Sequence, residues 1–254
     1  MSTYAKVDTY AKVDAAVQRL TGMWTSARML DAIEVEWVLS SAAVLKQPAL
    51  VTWLRGVAYR QAQQNQQAAL NGLRSLRVAH GTLRRNQNST NSLRDAGDAW
   101  NDAKARLEAI DAEMKWLAAN PPEWTGVSAA AQAVEAEERR RHQTTLIEAA
   151  TRVQRGCTSG AQLNETVLLL ALLDVMLPCS SAASVVSRAP SLANVFSLNS
   201  RGRAAAAALD RAANGYLATI RGSGWAARSF DVARQFTGVE QVLSTGGNRA
   251  PIPV

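Results

Sequence analysis

Side chains that carry acid–base, nucleophilic or metal chemistry are few in this sequence and far apart. His80 and His142 are the only histidines, and His142 has no second ligand one helical turn away. Cys157 has only Arg155 as a basic neighbour, which favours a structural thiol over an activated nucleophile. Paired carboxylates occur only in charge-dense helical segments, where exposed ion pairs are expected. The sequence therefore predicts no catalytic residue, no metal site and no enzyme.

Glycine-rich segments do not supply a nucleotide loop. Gly222-Ser-Gly224 follows a predicted helix, whereas a dinucleotide loop follows a strand and opens a helix. The sequence also has no Walker A motif. We therefore expect no cofactor and no small-molecule substrate.

Arginine is the residue type that points to a ligand. The chain has 23 Arg against 5 Lys and a net charge of +7, and residues 151–254 carry 10 Arg, no Lys and 5 acids. A guanidinium group binds phosphate through two parallel hydrogen bonds, so this excess predicts a polyanionic partner. A GC-rich genome, which raises both Arg and Ala, is an alternative explanation of the same composition.

The composition favours a helical protein. Of the 254 residues 47 are alanine, while only 15 are glycine and 7 are proline. Two cysteines make no disulfide framework and indicate a reducing compartment. The longest apolar run, Val167 to Leu173, is short for a membrane span, and the N-terminus lacks the apolar core of a signal peptide. We expect an all-α protein with no membrane partner.

Periodicity predicts two helices in the N-terminal third. Apolar residues recur at helical spacing over residues 14–45, and Pro48 opens a second helix that extends to about Arg77. Before them, the hexamer TYAKVD occurs at 3–8 and again at 9–14, which we interpret as an exposed arm. Residues 80–91 form a predicted polar linker that places His80 in a surface loop.

The remaining chain also follows a helical pattern, and no run alternates as a strand would. Residues 92–120 and 128–155 predict a helical hairpin around Pro121-Pro122, with Gly156 as the stop. Residues 163–177 are apolar nearly all round and predict the most buried helix. The last predicted segments are an irregular stretch at 178–198, a helix at 203–221, a short helix at 225–243 and a disordered tail at 244–254.

Two stretches, one near each end of the chain, resemble the coat proteins of tobamoviruses, which are rod-shaped plant viruses. The first contains Leu39-Ser-Ser-Ala42, Pro48 and a glutamine-rich segment that ends in QQA at Ala68. The second contains Arg201 and Arg203 at the start of a long helix. That helix ends in an IRGxG turn at 220–224, and an Arg, Phe and acid follow at 228–231. The order and approximate spacing agree over about 60 residues.

The chain also departs from the family pattern. It is much longer than a tobamovirus subunit, and the family's small sheet region between helix pairs has no counterpart in it. The arginine that follows the glutamine-rich segment in the family is Ala69 here, and the two acids after the arginine pair are alanines. These departures indicate a distant relative among rod-shaped viruses.

The resemblance implies an antiparallel four-helix bundle of the rod-shaped virus coat type, with an extra inserted helical hairpin. The implied divisions are an N-terminal arm or helix at 1–26, helix pairs at 27–85 and 158–243, the inserted hairpin at 86–157 and the tail at 244–254. It implies a structural protein that self-assembles into a helical rod around single-stranded RNA. Its location would be the virion, and the host cytoplasm before assembly.

The resemblance also assigns roles to particular residues. Phosphate or base contacts with RNA are expected from Arg188, Arg201, Arg203, Gln64, Asn65 and Gln67. Arg228 and Asp231 are expected to form a buried structural pair. Glu34 and Glu36 are possible members of carboxylate clusters between subunits, although an exposed charge is the simpler interpretation of both.

Two other interpretations of the sequence stay open. One is a helical, self-associating interaction protein without nucleic acid, supported by the amphipathic middle of the chain at 92–155. The other is a nucleoprotein or phage structural protein with an unrelated all-helical fold, which shares the polyanionic partner but not the rod.

Overall fold

The chain folds as an all-α protein, as its composition predicts. The structure, a computed structural model, describes residues 9–44, 46–85, 88–120, 126–189 and 198–222, with 229, 231–234, 236 and 239. These residues contain no strand. The long helices are α1 (Thr9–Val44), α2 (Pro48–Arg85), α3 (Ser89–Ala119), α4 (Val127–Val186) and α5 (Ser200–Arg221). The start of α2 at Pro48 confirms the predicted break, because proline suits the first turn of a helix.

The helices divide between two compact units. Unit 1 consists of residues 1–87 and 165–222, and unit 2 of residues 88–164 and 223–254. Unit 1 therefore contains α1, α2, α5 and the C-terminal part of α4. Unit 2 contains α3 and the N-terminal part of α4.

Alanines on α5 form the centre of the core of unit 1. Ala205, Ala208, Leu209, Ala212 and Tyr216 have no exposed surface, and they join buried residues of α1, α2 and α4 in one cluster. Side chains this small let the neighbouring helices approach α5 closely. The alanine richness of the sequence therefore serves tight helix packing as well as helix propensity.

The closest approach in this core is between α2 and α5. A Cβ atom added at Gly72 would lie 3.0 Å from the backbone nitrogen of Asp210 and 3.0 Å from the carbonyl carbon of Leu209. A side chain at this crossing would force the backbone of α5 to shift by a few tenths of an ångström, which glycine avoids.

Helix α4 continues through Gly156 without a break, so the predicted stop at this residue is wrong. A Cβ at Gly156 would lie 2.8 Å from the ring of Phe236, which shows that the missing side chain makes room for an aromatic contact.

The prediction of an irregular stretch at 178–198 is wrong for the first half of this range, which is helical. Pro178 lies inside α4, which ends at Val186.

The apolar segment of α4 at 163–177 is buried on one side only. The prediction that this segment is the most buried helix is therefore wrong. Leu168, Ala171 and Val175 face the core, whereas Leu173 and Leu177 are 50% and 65% exposed. By length and composition, the part of this helix from Ala129 to Val186 contains an 18-residue window apolar enough to cross a membrane, of which 28% is buried.

The N-terminal segment and His80 belong to packed helices, not to an arm and a loop. His80 lies inside α2, where its Nε2 is 3.0 Å from Oδ1 of Asp14 and 3.2 Å from the hydroxyl of Tyr10. Its Nδ1 is 3.3 Å from the hydroxyl of Tyr216. The second TYAKVD copy therefore begins α1 and packs on α2, while the first copy and the 244–254 tail lie outside the described residues.

Replacing Gly72 with alanine tests the helix crossing. We expect Gly72→Ala to destabilise the fold by about 1–3 kcal/mol, because the added methyl group must push two helix backbones apart. Gly81→Ala is the matched control on the same helix, since a Cβ there meets no atom within 4 Å. The control should gain about 0.5–1 kcal/mol from helix propensity. Urea unfolding followed by circular dichroism measures the stability of both variants. Equal unfolding midpoints would contradict the close approach of α2 and α5 at Gly72.

Candidate nucleic-acid interface

A buried ion cluster joins α1 to the start of α5. The Arg201 guanidinium lies 2.7 Å from Oε2 of Glu34 and 3.3 Å from Oδ1 of Asp31. The three side chains are 3%, 6% and 4% exposed, respectively. One cation thus faces two carboxylates in a place that water does not reach.

The remaining donors of Arg201 are also used. Its Nε and a terminal nitrogen donate to the carbonyl of Arg188, at 3.1 and 3.0 Å. Arg201 was expected to contact an RNA phosphate, but its side chain is buried and bound to protein acceptors on every side. It is a structural cation in this fold, and the expectation is corrected.

Asp31 also binds the N-terminus of α5. Its Oδ2 accepts the backbone N–H of Gly202 at 2.6 Å, and its Oδ1 accepts the backbone N–H of Arg201 at 3.3 Å. A carboxylate at this end of a helix satisfies free N–H groups and complements the helix dipole. The start of α5 is therefore occupied by a protein carboxylate at the place where the sequence predicted an RNA phosphate.

Asn65 has a structural role as well. It is 9% exposed, and its Nδ2 donates to the carbonyl of Asn199 at 3.1 Å. Asn199 in turn donates from its own Nδ2 to the carbonyl of Ala58 at 2.9 Å and adopts a left-handed backbone, with φ of 57°. The predicted RNA contact of Asn65 is corrected, because its amide holds the turn before α5.

Of the two acids predicted for intersubunit clusters, one belongs to the buried ion cluster instead. Glu34 is buried against Arg201, whereas Glu36 is exposed. Burial raises the pKa of Asp31 above its usual value, against the opposing effect of hydrogen bonds from Gly202 and Arg201.

The other predicted contact residues are exposed. Arg188 comes just after the end of α4 and Arg203 lies in the first turn of α5, while Gln64 and Gln67 lie on the exposed face of α2. Their roles stay predictions. Asp231 is exposed, so the prediction that it forms a buried pair with Arg228 is wrong as to burial. Arg228 lies outside the described residues, and the pairing itself stays a prediction.

A polar strip on α2 brings two of these residues together with three others. Its members are all exposed and follow one another at spacings of four, three, four and three, which is one face of a helix. They are Arg60, Gln64, Gln67, Asn71 and Arg74. The two arginines are separated by about 21 Å at 1.5 Å per residue.

Sequence reasoning missed the basic character of α2 as a whole. The helix carries six arginines and no carboxylate, and all six side chains are exposed: Arg55, Arg60, Arg74, Arg77, Arg84 and Arg85. In the part of the chain that the structure describes, none of them is paired with an acid. The absence of acids over residues 48–85 was a signal visible in the sequence.

The two units differ strongly in charge. The described residues of unit 1 carry 15 basic and 7 acidic side chains, a net of +8. Those of unit 2 carry 10 basic and 11 acidic side chains, a net of −1. The basic excess thus lies on unit 1, largely on α2, and not on the C-terminal half as such. A surface of this kind attracts a polyanion.

No family model, curated protein or solved structure matches the chain. The resemblance to rod-shaped virus coats therefore depends on the sequence motifs alone.

Removing the buried cation tests its structural role. We expect Arg201→Met to destabilise unit 1 by about 3–5 kcal/mol, because two carboxylates would stay buried without their partner. Arg203→Met, two positions along on the exposed face, should change stability by less than about 0.5 kcal/mol. Thermal unfolding distinguishes the two, and equal stability of both variants would contradict a structural role.

The raised pKa of Asp31 predicts a pH dependence of stability. A carboxyl group whose pKa is higher in the folded state stabilises the fold fully below its unfolded value of 3.8. That stabilising contribution is lost as the pH rises through the pKa of the group in the folded state. The unfolding free energy of the wild type should therefore fall with rising pH, relative to Asp31→Asn, from about pH 4 upward. An opposite slope in urea titrations would contradict the direction of the shift.

Proposed function

We propose that this chain is a structural coat protein that assembles into a helical rod around single-stranded RNA. It acts without catalysis, in the virion and, before assembly, in the host cytoplasm. The observation that carries the proposal is the surface of α2, which exposes six arginines together with neutral amides. Among the residues that the structure describes, no acid pairs with these arginines.

The contacts within unit 1 support an antiparallel four-helix bundle. Asp14 near the start of α1 meets His80 near the end of α2, while Val38 and Leu54 share a cluster at the opposite ends of those helices. The contacts between α4 and α5 support the same antiparallel arrangement, since Asp174 of α4 accepts a hydrogen bond from Thr219 near the end of α5. The carbonyl of Arg188, just after α4, binds the start of α5.

The strip on α2 suits binding that does not depend on base sequence. Arg60 and Arg74 offer phosphate contacts, which position a nucleic acid without reading it. Gln64, Gln67 and Asn71 between them offer neutral donors and acceptors to sugars and base edges, and add no charge that would repel a neighbouring copy. A coat must bind every part of a genome, so this division of roles fits its task.

Helix α2 also exposes two aromatic rings. Trp53 and Tyr59 are 52% and 63% exposed, and Tyr59 is adjacent to Arg60 in sequence. Single-stranded nucleic acid stacks its bases on such rings whatever their sequence, while double-stranded nucleic acid keeps its bases inside. The combination of arginine and aromatic side chains supports a single-stranded partner.

A second candidate function is a self-associating interaction protein without nucleic acid. It is favoured by the large apolar side chains that unit 1 exposes on α1 and α4, including Trp37 and Leu177. Such surfaces in soluble proteins mark sites of association. They fit the coat proposal as well, and binding to RNA separates the two functions.

The salt dependence of RNA binding tests the proposal. We expect binding to be steeply salt-dependent and equal for poly(U) and poly(A). Replacing Arg60 and Arg74 together by Gln should weaken binding and reduce the slope of log affinity against log salt by about 1.4, or 0.7 for each lost phosphate contact. Fluorescence anisotropy over a salt series measures both quantities.

The matched control removes two arginines from unit 2. Arg139 and Arg141 are exposed and pair with Glu135 and Glu137, so Arg139→Gln with Arg141→Gln removes the same charge from a different surface. The control should leave the slope unchanged. Equal loss in both double variants would indicate a general charge effect and contradict an interface on α2, and affinity independent of salt would contradict the coat function.

A further inference from the structure

Unit 1 exposes an apolar face on the C-terminal part of α4. Five large side chains lie there within three turns and are 39–65% exposed: Leu169, Leu170, Leu173, Met176 and Leu177. The flanking positions on the same face, Thr166 and Ser180, are uncharged. The exposed apolar area is on the order of 500 Å², at the upper end for a single soluble chain.

A second apolar face lies on α1. Met29, Ile33 and Trp37 follow one another at spacings of four, and Val44 continues the same side of the helix. They are 58%, 46%, 51% and 81% exposed. The face has an area similar to that on α4. Ser26 and Ser40 add no charge to it, and the exposed Glu36 lies at its edge.

The two faces lie near opposite ends of unit 1. Leu173 adjoins Asp174, which binds Thr219 near the end of α5, whereas Ile33 adjoins Glu34, which binds Arg201 at its start. The separation along α5 is about 27 Å at 1.5 Å per residue. The α4 face and the α1 face of the same unit 1 therefore cannot pack against each other.

From these surfaces we infer that the α4 face of one copy binds the α1 face of the next copy. Each chain carries both halves of this contact, so a second copy supplies a matching surface wherever the first is present. Joined, the faces bury about 1,000 Å² in total, which is the size at which a specific interface begins. Because the two faces differ, the contact is heterologous and repeats from copy to copy.

The charges near the α4 face argue against a lipid surface as its occupant. Helices that lie on anionic membranes carry Lys or Arg on their polar side. Between residues 156 and 187 the chain has no Lys or Arg, and its charged residues there are Glu165 and Asp174.

Charged substitutions on each face, studied alone and mixed, test the inference. Leu173→Glu should block the α4 face and Ile33→Glu the α1 face, and each variant should be monomeric in sedimentation velocity without RNA. An equimolar mixture should form a one-to-one dimer and nothing larger, since one intact contact is left. The wild type and Val134→Glu, an exposed control in unit 2, should form larger assemblies.

Several outcomes would overturn the inference. They are a monomeric wild type, a variant that dimerises alone, a mixture that stays monomeric, and wild-type binding to phosphatidylcholine–phosphatidylserine vesicles that Leu173→Glu abolishes. Circular dichroism checks folding, and Leu177→Glu with Met29→Glu provides a second pair at more exposed positions. This inference rests on the proposed function in one respect, that the chain self-assembles. Binding of the monomeric variants to poly(U) therefore tests the RNA proposal separately.

Discussion

The guanidinium of Arg201 is held between Asp31 and Glu34 in a place that excludes water, and the other contacts of unit 1 depend on this arrangement. Removing charges from water is costly, so the cluster persists only while all its donors and acceptors are satisfied. The same Asp31 binds the backbone N–H of Gly202, and the carbonyl of Arg188 accepts from the guanidinium. The cluster thus fixes α1, the end of α4 and the start of α5 relative to one another.

Placing two acids inside the core also shapes the surface. Of the seven carboxylates among the described residues of unit 1, Asp31 and Glu34 are buried, and α2 carries none. The exposed surface of unit 1 is therefore more basic than the net charge of the chain suggests. The acids of the ion cluster are thus absent from the exposed surface of unit 1.

Features set by local chemistry were predictable from the sequence, and features set by packing were not. The all-α class and the helix start at Pro48 follow from alanine content and proline geometry. Gly156 resembles a helix stop, yet it lies inside α4, where its missing side chain makes room for the ring of Phe236. Arg201 and Asn65 resemble ligand-binding residues, and only their burial shows that they bind the protein itself. Such burial depends on residues far away in sequence, which no local pattern contains.

The proposed rod requires RNA contacts and self-assembly to act together. Electron microscopy of purified protein, with and without single-stranded RNA, examines both at once. We expect short rods or stacked discs without RNA, and rods whose length follows that of the RNA added. Small separate particles in both samples would contradict it.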